Sequence, residues 1–256
     1  MWRPNGVKAR LKAGQAVYGL FHGLASPLVA ELLGLVGYDF VLIDAEHGPG
    51  DSMTSLSQIQ AIQATPAMAM LRVSSNDPIQ FKRALDIGVE AVMVPNVSNA
   101  AEAAAAVAAC RYPNAGRRGF AAPILRAANY GMATADYVAK AADELLIVVQ
   151  IETLAGAANA AEIAAVDGVD AVFIGPNDLS GDLGVLGQFD HPDFTNAVAA
   201  IEAGVKSAGK ALGCLPYPGS DPAALYRRGH RFICPGADVA MLRDACLAQL
   251  RGLPRG

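Results

Sequence analysis

The sequence predicts a closed parallel (β/α)8 barrel, the TIM-barrel architecture, as a single α/β domain over residues 1–256. Three observations predict it. Short apolar runs recur eight times along the chain, a stretch able to form a helix follows each, and 256 residues is the usual length of one such barrel. Hydrophobic residues make up 53% of the chain and charged residues 17%, which suffices for a large core.

The strand runs are expected at residues 16–20, 40–44, 67–72, 91–95, 145–152, 171–175, 211–215 and 231–235. Phe-Val-Leu-Ile-Asp, Ala-Val-Met-Val-Pro and Ala-Val-Phe-Ile-Gly lack polar alternation, as strands buried on both faces should. Helices are expected at 28–34, 78–86, 100–110, 159–165, 193–207 and 238–250. Ser26–Pro27 and Asp77–Pro78 supply an N-cap followed by proline at the first helical position, and the 100–110 and 159–165 segments are rich in alanine, the strongest helix former. The segment 112–135 breaks the alternation with Pro113, Gly116, Gly119, Pro123 and Gly131, and carries Arg117, Arg118 and Arg126. A long irregular loop is more often functional than idle, so it is expected as an active-site loop at the strand C-termini.

Charge excludes some functions. A net charge of −4, with Arg117–Arg118 and Arg227–Arg228 as the paired basic positions, does not make a nucleic-acid surface. No apolar stretch reaches the roughly 20 residues of a membrane span, and no secretory h-region follows Met1. Four scattered cysteines form no CxxC pair. These features predict a soluble cytoplasmic protein that binds neither nucleic acid nor membrane.

In such a barrel the chemistry sits at the strand C-termini. The second strand runs into Asp44-Ala45-Glu46-His47-Gly48-Pro49, the third ends on Arg72, the fifth on Gln150-Ile151-Glu152, and the sixth leads into Gly175-Pro176-Asn177-Asp178. Glu152 and Asp178, on neighbouring strands, are the expected metal pair, with water or substrate oxygens completing the shell of one hard cation. Asp178 after Gly-Pro also suits a helix cap. His47 stands in a Gly/Pro-bounded turn, and imidazole, with an unperturbed pKa of about 6.5, moves protons near neutral pH. Arg72 suits a planar carboxylate or an enolate oxygen, the alternative being an ion pair with a neighbouring acid. His22 reaches the same rim without an obvious partner. No lysine falls near the mouth, which speaks against imine chemistry.

The matching pieces run in order along the chain: Leu-Ile-Asp44-Ala-Glu46-His47-Gly-Pro, Leu-Arg72-Val, Arg83-Ala-Leu-Asp86-Ile-Gly, Val-Pro95-Asn-Val, Arg111-Tyr-Pro, Arg118-Gly-Phe, Arg126-Ala-Ala-Asn-Tyr-Gly, Gln150-Ile-Glu152 and Phe-Ile-Gly175-Pro-Asn-Asp178-Leu-Ser. From about Gly19 to the C-terminus the sequence thereby resembles the HpcH/HpaI aldolase family, the class II pyruvate aldolases. The resemblance implies a carbon–carbon lyase that splits or forms 4-hydroxy-2-oxo acids through the enolate of pyruvate or a related 2-oxo acid and an aldehyde. It implies Mg²⁺, Mn²⁺ or Co²⁺ on Glu152 and Asp178. Gln150, Gly175 and the backbone N–H groups near Asn177 and Asp178 would hold pyruvate, and Arg72 would stabilise the enolate oxygen. His47, paired with Asp86, would act with water at the metal in the proton transfers, while Asp44 and Glu46 orient that water and the metal site. Phe21 would stand near the aldehyde and Leu215 on the wall that affects aldehyde choice. The resemblance further implies a homohexamer of dimers that exchange the last helix, here 238–250. Two other readings compete: a citrate-lyase-like enzyme acting on a CoA thioester, and a non-catalytic 2-oxo-acid binding protein.

Overall fold

The computed structural model describes residues 3–254. Its strands are β1 (Val17–His22), β2 (Phe40–Asp44), β3 (Met68–Arg72), β4 (Ala91–Val94), β5 (Leu146–Ile151), β6 (Ala171–Ile174), β7 (Ala211–Cys214) and β8 (Phe232–Ile233). Each pairs in parallel with the next, and β8 returns to β1, so the expected barrel closes. Five strands, β4 to β8, end sooner than their expected runs. β4 stops before Pro95, which has no N–H to continue the ladder, and β8 stops just before Cys234-Pro235 for the same reason.

Alternate residues face inward. Val17, Phe40, Leu42, Met68, Met70, Met93, Val148, Phe173 and Phe232 fill the barrel, with the Phe40 and Phe232 rings stacked 4.4 Å apart. Such a pair contributes about 1 kcal/mol beyond its buried area. Position 19 must be glycine because a Cβ there would lie 2.2 Å from the Phe40 ring. The helix α1 (Gly6–Lys12) plugs the N-terminal end, with Val7 and Leu11 joining the interior cluster.

The outer layer consists of α2 (Pro27–Val36), α3 (Ser52–Gln63), α4 (Pro78–Asp86), α5 (Ala100–Cys110), α6 (Thr134–Glu144), α7 (Leu154–Ala158), α8 (Ala160–Ala165), α9 (Pro176–Asp182), α10 (Pro192–Ser207), α11 (Pro222–Arg227) and α12 (Asp238–Arg251). The expected caps form: Ser26 accepts from Val29 N–H and Asp77 from Ile79 N–H. The helix expected at 159–165 forms as α8, and a short α7 precedes it, the two meeting at Asn159. Among the described residues, no helix is long and apolar enough to cross a membrane.

The 112–135 segment occupies the end of the barrel opposite to the one expected. It follows α5, which starts beyond the C-terminal end of β4 and returns to the N-terminal end before β5 begins. Whatever is inserted between a helix and the next strand must lie at the N-terminal face. There Arg118 pairs with Asp86 at 3.1 Å and bonds the Tyr137 hydroxyl, while Arg126 donates to Ile87 C=O and the Gln63 side chain. The irregularity marks a built structure, but on the wrong face for catalysis within this chain.

α12 differs from the other long helices. Of its fourteen residues only Asp238 is buried, and Leu242, Leu247 and Leu250 are about half exposed.

Candidate active site

Strand parity brings the polar residues together at the mouth. Asp44 continues the inward row of Phe40 and Leu42, Arg72 that of Met68 and Met70, Gln150 and Glu152 that of Leu146 and Val148, and Gly175 that of Ala171 and Phe173. Asp44, Arg72, Gln150 and Gly175 line a cavity of about 580 Å³ together with Phe21, His47, Asn177, Asp178 and Leu215.

Asp44 and Arg72 are direct partners in the β2–β3 register. The guanidinium grips Asp44 with two parallel bonds, Nε to Oδ1 at 2.9 Å and Nη2 to Oδ2 at 2.7 Å, and Nη1 reaches Glu46 Oε2 at 2.9 Å. The two hydrogen bonds to Asp44 use one N–H on Nε and one on Nη2, and the Glu46 contact is an ion pair. The Phe21 ring lies 5.0 Å from the guanidinium carbon. Burial alone would raise the Asp44 pKa, but the hydrogen bonds and charge of Arg72 outweigh it and hold the carboxyl below its ordinary value. Glu46 stays raised, because burial outweighs the attraction of Arg72 and His47. Arg72 is ion-paired, as the alternative reading of the sequence had it.

Glu152 is 5% exposed and lies beside Asp178. Its Oε1 accepts from Asn96 N–H at 2.7 Å, and its Oε2 takes a very short bond from the Gln150 amide. Burial pushes its pKa to about 7; the two hydrogen bonds oppose that shift, and the charges of Asp178 and Glu46 add to it. A buried carboxylate, Glu152, and an exposed one, Asp178, repel each other at the mouth, and a divalent cation would relieve that repulsion. Among the described residues, no group of three or more His, Cys, Asp or Glu side chains converges to hold an ion unaided. Gln150 is buried, and its Oε1 has no partner, so that atom is left for an arriving donor. Asp178 sits in the first turn of α9, whose first hydrogen bond runs from Leu179 N–H to Gly175 C=O; the N–H groups of Asn177 and Asp178 are thus not used by the helix.

A family model described as HpcH/HpaI aldolase/citrate lyase matches residues 17–245. The chain belongs to this family. A 4-hydroxy-2-oxo-heptane-1,7-dioate aldolase of Shigella sonnei (strain Ss046) is 42% identical over 95% of this chain and 93% of its own. An HpcH/HpaI aldolase/citrate lyase family protein from Burkholderia cenocepacia J2315 superposes with a TM-score of 0.91 at 38% identity, covering 96% of this chain and 98% of that one. An HpcH/HpaI aldolase from Desulfitobacterium hafniense DCB-2 gives 0.87 at 28% identity over 98% of both chains. This HpcH/HpaI protein is thus an enzyme of the carbon–carbon lyase class.

One expected catalytic pairing is not made within the HpcH/HpaI chain described here. Asp86 ends α4, at the N-terminal face, where it meets Arg118; His47 is at the mouth. A helix of about 13 Å separates the level of Asp86 from the strand ends, so the order of the sequence motifs does not carry over into proximity. The His47 imidazole is exposed, and its backbone N–H bonds Asp44 Oδ1.

One contributor, Asn96, carried no assigned role in the sequence, and Gly175 acts otherwise than as a direct contact. Asn96 adopts a left-handed conformation, φ 54°, directly after Val94-Pro95, and this turns its N–H onto Glu152. Asparagine tolerates that region better than most residues, so a Pro-Asn pair at a strand end was the available signal. Gly175 acts through absence: a Cβ there would stand 2.4 Å from Glu152 Oε2 and 2.8 Å from the Gln150 amide nitrogen. His22, partnerless in sequence, pairs its Nδ1 with Asp238 Oδ2 at 2.6 Å.

Proposed function

We propose that this lyase cleaves and forms 4-hydroxy-2-oxo acids, with pyruvate or a close 2-oxo acid as the donor and an aldehyde as the acceptor. The observation that carries the reading is Arg72, held by two hydrogen bonds to Asp44 and an ion pair to Glu46 beside the Glu152–Asp178 pair. Glu152 and Asp178 would hold Mg²⁺, Mn²⁺ or Co²⁺. Such an ion supplies Lewis-acid stabilisation of the charge that develops when the methyl group next to a carbonyl loses its proton.

The chain's own groups do the rest. Arg72 presents a fixed positive group to the enolate oxygen, and because it is oriented beforehand it costs no reorganisation during the reaction. The N–H groups of Asn177 and Asp178 meet the carboxylate of the oxo acid, and Gly175 keeps that approach open. Gln150, pinned by Glu152, floors the donor pocket. His47 gives a proton to the acceptor carbonyl oxygen as the carbon–carbon bond forms and removes it from the 4-hydroxyl in cleavage. Phe21 and Leu215 give the acceptor an apolar wall. No lysine lines the cavity, which supports an enolate over an imine.

The protein is further read as a homo-oligomer, a hexamer by family likeness, in which α12 is exchanged between copies. The exposed apolar side chains of α12 and those of Leu28, Leu32 and Leu35 on α2 support this, since α2 and α12 flank the β8–β1 seam where a barrel normally closes its helical layer. Light scattering on the purified chain tests it, with a monomer as the contrary result.

The activity is tested by incubating a 4-hydroxy-2-oxo acid with the enzyme and following pyruvate release, first with EDTA and then with Mg²⁺ or Mn²⁺. Release that needs the metal supports the reading; binding of pyruvate with no release from any such acid contradicts it.

A further inference from the structure

We infer that His22 and Asp238 form a clamp that positions the acceptor wall of the cavity, separately from the donor machinery. This rests on the aldolase reading above. Both side chains are buried, at 0% and 4% exposure, although neither lies among the groups assigned to the chemistry. His22 is the last residue of β1 and faces outward, into the layer between strands and helices; Asp238 is the first residue of α12.

The Asp238 carboxylate gathers four donors from two elements. It takes His22 Nδ1 at 2.6 Å, Gly23 N–H at 2.9 Å, Leu24 N–H at 3.3 Å and Val239 N–H at 2.7 Å. The first three bind the C-terminal end of β1 to the helix, and the last caps the helix itself. His22 Nε2 is buried with no partner. The His22–Asp238 contact lies in the buried layer between strands and helices.

What the clamp holds is the acceptor side. Gly23, Ala237, Val239 and Ala240 line the cavity and belong to the two segments that Asp238 joins. α12 has no other buried side chain to orient it on its own barrel. The Phe21–Ala237 bridge, with Phe21 N–H donating to Gly236 C=O at 3.2 Å, is the remaining tie. Loosening the clamp therefore frees the first turn of α12 while Arg72, Gln150, Glu152 and Asp178 keep their own supports on β2 to β6. His22 and Asp238 are positioning residues for the acceptor.

The test separates the two half-reactions in His22→Gln and Asp238→Asn. Deuterium exchange into the methyl group of pyruvate reads the donor half, and aldol addition of pyruvate to propanal reads both. Both variants should exchange at the wild-type rate, while the KM for propanal rises roughly tenfold in His22→Gln, as misplacement of a reacting partner predicts. Asp238→Asn, which keeps an oxygen for the backbone N–H groups, should show a smaller rise, with kcat little changed in either. Equal losses in exchange and addition, or an unchanged propanal KM in folded protein, would overturn the clamp. Should His22→Gln fail to fold, the Asp238→Asn pair of readings decides it. A wild type that exchanges no deuterium would instead sink the donor reading.

Discussion

The two ends of the barrel hold the same kinds of charged residue and use them in opposite ways. At the N-terminal end four ion pairs tie the elements together: Arg3 with Glu90, Lys8 with Asp170 at 3.0 Å, Arg10 with Asp39, and Arg118 with Asp86. Lys8, whose amine is drawn down by burial against the pull of Asp170, also donates to Leu145 C=O. At the mouth four carboxylates, Asp44, Glu46, Glu152 and Asp178, face one guanidinium, and Glu152 is driven to about 7. Balanced charge there would be structure; the imbalance is what leaves the mouth ready for a cation and an anionic acid. The lesson is that buried charge alone does not mark the site, whereas uncompensated buried charge does.

Substitutions should divide along that line. The largest effect is expected for Glu152→Ala or Asp178→Ala, with cleavage falling at least about 10³-fold, the scale of losing a Lewis acid; thermal melting should change little, since repulsion is relieved. A melting loss matching the activity loss would break the comparison. His47→Gln comes next. Cleavage should drop about 10²-fold or more, the usual share of a general acid–base group, while pyruvate exchange stays within severalfold. Loss of both together would place His47 in the donor half. At the other end, Lys8→Ala leaves Asp170 buried without its partner and should lower unfolding free energy by about 3 kcal/mol, read by denaturant titration, with turnover at 25 °C unchanged.

The smallest effect is in pH. The folded pKa of Glu152, about 7, exceeds its ordinary 4.5, so the folded protein binds this proton more tightly than the unfolded chain. Its contribution is fully present below about 4.5 and is lost as pH rises through 7, up to about 3 kcal/mol without a cation. Glu152→Gln cannot acquire the charge. Melted in EDTA, it should outlast the wild type at pH 8 and match it near pH 5; parallel curves would mean that the carboxylate is already satisfied.

Much of this was legible in the sequence because the barrel rule converts strand ends into a place. Asp44, Arg72, Gln150 and Glu152 each sit at the end of an apolar run, in the same parity as its inward residues, so their convergence needs only the fold. What stayed hidden depended on other things. The side of the barrel taken by 112–135 follows from its position after a helix rather than after a strand, and composition does not report that. Asp86 belongs to the same series of matching motifs as the mouth residues but stands at the far end of α4. Asn96 works through its backbone, where residue type is only a faint sign. Asp238 lies 216 residues from His22, and only the closure of β8 on β1 brings them together.

The most direct measurement is exchange of the pyruvate methyl protons in D₂O, followed by NMR, in EDTA and then with Mg²⁺ or Mn²⁺ restored. Exchange that appears only with the metal, and is lost in Asp178→Ala, is the predicted result. No exchange in folded, metal-supplied wild type would contradict enolate formation at this mouth, and exchange undiminished by EDTA would contradict the role given to Glu152 and Asp178.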